Sequence, residues 1–436
     1  MKELSQLSKR PGIQRDPLVT DARVSRRVYL DPGIFELEMD HIFGRTWVYV
    51  GHESEVGNPG DFKRVTIGTQ PALVTRDENG VVHVLMNRCM HRAATVCQPE
   101  RGNALRFRCG YHGWTYDSRG ELVGLPYAGG YGPGFDRSRF HLATAARLES
   151  YRGLLFASLN AEVEPLADYL AGAKRFIDAF MDLSPEGEVT VRSGSHKYGY
   201  DGNWKFQLEN GVDGYHPNFA HQSFFEMQNE AIRPTLFGMF SEAGACTSRD
   251  LGNGHSLIDM STVDSGRRQL SRSVLTGNSG GEYLRRLIER YGPERTDEIA
   301  RASAVNLVIF PNLLIIGVQL RTVVPVRVDR TEVYLNPALL KGVPDEVNEA
   351  RLRAHESFYG AAGGGAPDDL EMFARCTEGL RVKGVEWLEF SRGLDREIIE
   401  NGERVGHITD EVPQRALYRQ WRQLMHSTLR AVRSGS

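Results

Sequence analysis

The chain has 436 residues, with 53 basic against 56 acidic side chains and a formal net charge of −3. That near balance gives no field for a nucleic acid or an anionic membrane surface, and the length is enough for two or three cores. The opening MKELSQLSKRPGIQRD is polar and unlike a secretory signal. The longest apolar stretch, 305–320, is interrupted by Pro311 and Asn312 and is too short to span a bilayer. A soluble, cytoplasmic protein is expected. Five cysteines, an odd count, argue against a disulfide framework and for metal ligation in a reducing compartment.

In chain order, a short helical segment is expected at 33–43. Residues 46–160 then read as strands: TWVYVG, PALVTRD, VVHVLMN, ALRFRC and GLLFASLN are β-branched or aromatic runs bounded by Gly, Pro, Asp or Asn. Hairpin turns are expected at DENG, 77–80, and at SRG, 118–120. After about residue 165, apolar residues recur at helical spacing over 166–183, 282–291, 345–359 and 414–432. Between them lie the runs VNLVIF, LLIIGVQL, TVVPVRV and TEVYLN, with 313–326 read as one strand. The expected class is α+β: a small all-β domain at 46–160, then a larger domain at 161–436 with helices and an antiparallel sheet. Residues 1–45 are expected to join the larger domain. GAAGGG, 360–365, is the only low-complexity patch, and no repeat is present.

Cys89-x-His91 and, after 17 intervening residues, Cys109-x-x-His112 offer two thiolates and two imidazoles in two short loops. Such a set suits a tetrahedral zinc, or a [2Fe–2S] cluster with thiolates on one iron and imidazoles on the other. Each loop supplies one ligand of each kind, which favours the two-iron cluster. Cys97 has no partner at ligand spacing and reads as a core residue. A second cluster lies in NWKFQLENGVDGYHPNFAH, where His216 and His221 are five apart. On an ideal helix they would sit about 140° apart at 3.6 residues per turn. They converge only if the helix ends or distorts, and Pro217 supplies a reason, since the residue before proline disfavours helix. Two histidines with one carboxylate suit a mononuclear Fe(II) with open positions. Asp213, three residues before His216, would share its helix face and accept its second ring N–H.

The Cys-x-His…Cys-x-x-His pattern, followed by Gly113-Trp114-x-Tyr116, resembles the Rieske domain of ring-hydroxylating oxygenases. Gly110 and Ala93 stand where that family often has Pro and Gly. Asn203-Trp204-Lys205, Glu209-Asn210, Asp213-x-Tyr215-His216 and His221 are similar to the family's mononuclear iron motif, and Pro367-Asp368-Asp369-Leu370-Glu371 to its acidic pair. The resemblance, running from about Arg45 to the C-terminal region, implies that Cys89 and Cys109 hold one iron of a Rieske [2Fe–2S] cluster and His91 and His112 the other. It implies that His216, His221 and Asp369 hold Fe(II), with Asp368 and Glu371 as rivals for the carboxylate. Asn210 and Asp213 become the catalytic polar residues, Asp213 linking His216 to His112 of the partner subunit in a homotrimer or an α3β3 ring with a small β subunit.

The wording of both motifs is similar to the benzoate, anthranilate and salicylate branch. An aromatic acid would then be hydroxylated with O₂ and NADH electrons, through a reductase with or without a ferredoxin, to a cis-dihydrodiol or a catechol. Rival functions are a Rieske monooxygenase or demethylase on a non-aromatic carbon, an iron–sulfur electron carrier, and a zinc-binding interaction protein. Val212, Phe219, Phe373 and the 305–320 strands are expected to line the substrate pocket. Arg321, a charge on an apolar strand, is expected to grip a substrate carboxylate.

Overall fold

The computed structural model describes residues 17–230, 233–261 and 278–434; the polar opening segment lies outside them. Residues 43–166 with 190–192 form one compact unit, and the other described residues form a second. The return of 190–192, where Val191 N–H donates to Ser54 Oγ at 2.9 Å, has no signal in the sequence.

The first unit is built on short antiparallel strands: Val48–His52 (β1), Asp61–Ile67 (β2), Gln70–Arg76 (β3), Val82–Met86 (β4), Arg101–Asn103 (β5), Arg106–Arg108 (β6), Thr115–Asp117 (β7), Leu122–Gly124 (β8), Arg147–Tyr151 (β9) and Leu154–Ser158 (β10). They form three sheets, ordered β9-β10-β1, β4-β3-β2-β5 and β6-β7-β8. The turn between β3 and β4 is made by Asp77, whose Oδ1 accepts from the backbone N–H groups of Asn79 and Val81. Phe62, Leu73, Leu85, Phe107, Trp114 and Tyr116 form the core, and Cys89, Cys97 and Cys109 pack into it.

The second unit carries a nine-stranded antiparallel sheet. Its strands are His196–Tyr200 (β11), Thr247–Gly252 (β12), His255–Asp259 (β13), Val305–Ile309 (β14), Leu313–Ile316 (β15), Gln319–Arg327 (β16), Arg330–Pro337 (β17), Ile398–Glu400 (β18) and Glu403–His407 (β19). Their order is β11-β17-β16-β15-β14-β13-β12-β19-β18. The run 313–326 is therefore not one strand. It reverses at Gly317-Val318, with Ile316 paired to Gln319 and Leu313 to Thr322. Gly317 takes φ 58°, which glycine reaches without steric cost, and both arms are apolar, so periodicity carried no sign of the reversal.

The helices that matter to the site are Lys205–Gly211 (α1), Pro217–Ala220 (α2), Asp345–Tyr359 (α3), Ala366–Gly379 (α4) and Val412–Ser434 (α5). The expected helix at 166–183 is interrupted: Leu166–Tyr169 and Lys174–Met181 flank Ala171, which has φ 45°. Helix α1 is pinned by two carboxylates, Glu38 fully buried and Glu209 half-buried. Glu38 accepts from Lys205 Nζ at 2.7 Å, Trp204 Nε1 at 2.9 Å and Trp421 Nε1 at 2.7 Å. Glu209 accepts from the hydroxyls of Tyr29 and Tyr418. The approach of α1 to β15 is close enough that a Cβ on Gly211 would meet Leu314 Cδ2 at 2.2 Å.

Candidate metal centres and a buried cavity

Two loops of the β unit have the same backbone pattern. Cys89 N–H donates to Ala94 O and Ala93 N–H to Cys89 O; Cys109 N–H donates to Trp114 O and Gly113 N–H to Cys109 O. Each loop closes through a residue with positive φ, Ala93 at 64° and Gly113 at 73°. Ala93 thus occupies a left-handed position that favours glycine. The pattern turns both cysteines inward, where they are buried, and brings the His91 and His112 rings to 4.5 Å between centroids. His91 stacks on Trp114 at 5.0 Å, and its buried Nδ1 has no hydrogen-bond partner. Burial, and then the charges of His112 and Arg92, hold His91 below the usual imidazole range, so it sits as a neutral ligand would. Tyr116 Oη lies 3.3 Å from Cys89 Sγ and accepts from Met90 N–H. Cys97 is a packed core residue.

In the α+β unit, α1 ends at Gly211 and a turn follows before α2. His216 itself has helical φ/ψ, −70° and −28°, and caps α2 with Pro217 in its first turn. The expectation that proline would push His216 out of helix is corrected: proline fits the first helical position, whose N–H needs no partner. The break falls instead at His221, with φ −102° and ψ 19°, because α2 is a single turn. Nor do Asp213 and His216 share a helix face. They sit in the turn, where Asp213 Oδ1 accepts from Tyr215 and His216 N–H.

His216, His221 and Asp369 converge, with one ligand atom of each within 4.8 Å of the others. Asp369 Oδ1 lies 3.5 Å from His216 Nε2 and 3.3 Å from His221 Nε2. Two bonds of about 2.1 Å at right angles span about 3 Å, so the triad fits one metal ion. Each imidazole turns its other nitrogen to a carboxylate: His216 Nδ1 is 3.7 Å from Asp213 Oδ2, and His221 Nδ1 is 3.4 Å from Asp368 Oδ2. Asp368 therefore lies behind a histidine, and Asp369 is the acid that faces both Nε2 atoms. Such carboxylates fix the tautomer and orientation of ligating imidazoles. Burial alone would raise the Asp213 carboxyl, but His216 and two backbone N–H donors bring it below its ordinary value. Burial depresses His216, and Asp213 together with Asp369 raises it above its ordinary value. Asn210 Nδ2 donates to Asp369 Oδ1 at 3.0 Å and lies 3.3 Å from His216 Nε2.

The triad opens on a cavity of roughly 410 Å³. Asn210, Val305, Ile316 and Arg321 line it, together with residues that no sequence pattern placed there: Phe224, and Arg351, His355 and Tyr359 along one face of α3. The spacing 351, 355, 359 marked an inward helix face, but nothing in it pointed to a cavity. Val212, Phe219 and Phe373 do not line it, a correction to their expected place. Val212 is buried elsewhere, Phe219 is 71% exposed because its one-turn helix turns it outward, and Phe373 stacks on Phe206. The glycine-rich patch has a packing reason as well. A Cβ on Gly364 or Gly365 would meet the rings of Phe224 or Phe358 at 2.2 Å.

Family models match both units: the Rieske [2Fe-2S] domain over residues 46–146, and the ring hydroxylating alpha subunit catalytic domain over 188–427. The chain belongs to the ring-hydroxylating dioxygenase alpha subunits. It is 34% identical over 406 residues to the 2-halobenzoate 1,2-dioxygenase large subunit of Burkholderia cepacia, covering 91% of this chain and 86% of that one. The anthranilate 1,2-dioxygenase large subunit of Acinetobacter baylyi is 36% identical over 388 residues, 85% and 80% of the two chains. Among solved structures, naphthalene 1,2-dioxygenase from a Rhodococcus species bound to indole matches with TM-score 0.79 and 27% identity, over 92% of this chain and 94% of that one.

Members of this family are oxidoreductases, and the two domains carry a Rieske cluster and a mononuclear iron. The branch expected from the motifs is the branch of these relatives. The relatives are named as large or alpha subunits of their dioxygenases. Among the described residues, no helix is long and apolar enough to cross a membrane.

Proposed function

We propose that this subunit hydroxylates an aromatic carboxylic acid whose carboxylate is gripped by Arg321. One observation carries the reading. Arg321 is 2% exposed on the interior strand β16, faces the cavity of the histidine–aspartate triad, and its Nε has no hydrogen-bond partner. Its guanidinium lies 4.9 Å from the Tyr359 ring centroid. A buried arginine without an anion is costly, and a planar guanidinium matches a carboxylate with two parallel hydrogen bonds. The 2-halobenzoate, toluate and anthranilate dioxygenases among its relatives support an acid substrate.

In this reading Cys89 and Cys109 hold one cluster iron, His91 and His112 the other, and His216, His221 and Asp369 hold the mononuclear iron. Bound there, the cluster supplies single electrons and the iron supplies dioxygen activation. Asn210 orients Asp369. Asp213 orients His216 and joins it to His112 of the partner subunit, which makes the working form a homotrimer or an α3β3 ring in the cytoplasm. The apolar walls hold the ring and exclude water. Electrons from NADH arrive through a reductase, with or without a ferredoxin, and the product is a cis-dihydrodiol or a catechol.

The test is Arg321→Met with an aromatic acid and its methyl ester. KM for the acid rises by one to two orders of magnitude, the value of about 1.5–3 kcal/mol for a charge-assisted hydrogen bond. Oxidation of the ester changes little. Equal losses on both would make Arg321 a residue of the fold and remove the carboxylate from the proposal.

A further inference from the structure

Arg321 is not the only desolvated cation on this cavity. Arg351 on α3 is 8% exposed, and its buried Nη1 has no hydrogen-bond partner. One helical turn on, His355 is 5% exposed and its buried Nε2 is also unpartnered. Both line the cavity, on the same face of α3 as Tyr359. Burial, then the positive charges of Arg321 and His196, push His355 down to about 4, so near neutral pH its ring is uncharged and can donate one N–H. The carboxylates on the cavity, Asp213 and Asp369, are already engaged with the histidines of the metal triad.

The two arginines cannot share one carboxylate. Arg321 lies against Tyr359, and next to Tyr359 on the helix Phe358 packs on His221 at 5.0 Å, so this is the metal end. Arg351 is eight residues back along α3, about 12 Å at 1.5 Å per residue. Helical side chains lean toward the N-terminus at both positions alike, so the separation of about two turns is kept.

We propose that the substrate ring bears a second anionic group, on the side opposite the first, held by Arg351. The substrate class is then an aromatic diacid, with one acid group at the metal end and one two turns away. This rests on the reading of Arg321 as the first anchor. A monoacid would satisfy Arg321 and leave Arg351 buried without a counter-ion; a diacid satisfies both.

The experiment is calorimetric binding of benzene-1,4-dicarboxylate, its monomethyl ester and benzoate to the metal-loaded protein without oxygen. The diacid is expected to bind about 10- to 100-fold tighter than the other two, as charge-assisted hydrogen bonds at a second site imply. Arg351→Met removes that preference, and Arg351→Lys keeps part of it. A diacid that binds no tighter than benzoate, while Arg321→Met weakens both, overturns this inference alone. If Arg321→Met weakens neither, the aromatic-acid reading falls with it. Should Arg351→Met fail to fold, the ranking of the three ligands on the unaltered protein decides.

Discussion

At the scale of single residues, the metal sites depend on side chains that cannot be exchanged for their neighbours. His112 shares its loop with Gly113 and Trp114, which offer no ligand atom for iron, and with Tyr111, whose phenol is no substitute for an imidazole. His112→Ala is expected to abolish the visible and EPR signals of the cluster; retained intensity would refute the four-ligand set. Asp213 acts differently, through His216. Its carboxyl is held below the ordinary range by that histidine and by backbone N–H groups, so it is charged near neutral pH. Asp213→Asn keeps the shape and loses the charge. The cluster should still bleach on reduction, while its reoxidation by O₂ and substrate in a single turnover slows about 10- to 100-fold, the usual effect of losing a carboxylate behind a ligand. Unaltered reoxidation would show that Asp213 does not orient His216.

Elements explain why the ligands meet. The paired cysteine loops depend on one left-handed residue each. At Gly113, with φ 73°, a Cβ would also lie 3.0 Å from Pro126 Cγ and 3.3 Å from Arg108 Nη2. Gly113→Ala is expected to cost about 1–2 kcal/mol, from the left-handed strain alone, seen as a lower midpoint in denaturant. A Cβ on Gly110, three residues earlier, would meet nothing within 4 Å. Gly110→Ala should stay within about 0.5 kcal/mol of the parent, as surface changes usually do. Equal effects at the two positions would remove the argument from loop geometry. The same scale governs the second site, where a one-turn helix, not a distorted long one, sets His216 beside His221.

At the scale of the whole α+β unit, Glu209 ties distant parts of the chain together. It receives hydroxyls from Tyr29, 180 residues before it, and Tyr418, 209 after. Burial pushes its carboxyl up to about 7, against the hydrogen bonds and Lys205, which pull it down. The folded pKa is above the ordinary 4.5, so the folded protein keeps a proton that the unfolded chain releases. The resulting stability is complete below about pH 4.5 and declines as pH rises toward 7. Glu209→Gln retains hydrogen-bonding capacity without a titrating group, and should flatten the pH dependence of the unfolding free energy in that window. Glu411, also raised to about 7, contributes a similar slope that the substitution leaves in place. An unchanged profile would place the proton elsewhere.

What the sequence determined by itself was local. Ligand types and spacings pointed to the cluster site, the resemblance to a known family added the second iron site, β-branched and aromatic runs with turn residues marked the β unit, and the 3.6-residue period placed α3 at Asp345–Tyr359. These are legible because each depends on a few consecutive residues. Tertiary structure alone decided the rest. It reversed 313–326 at Gly317, set Asp368 behind His221 while Asp369 faces both imidazoles, and turned Phe219 out to solvent. It also drew Arg321 from a strand and Arg351 from a helix onto one cavity. A cavity is made of side chains far apart in the chain, and which face of an element borders it depends on what packs against the others, which no local pattern records.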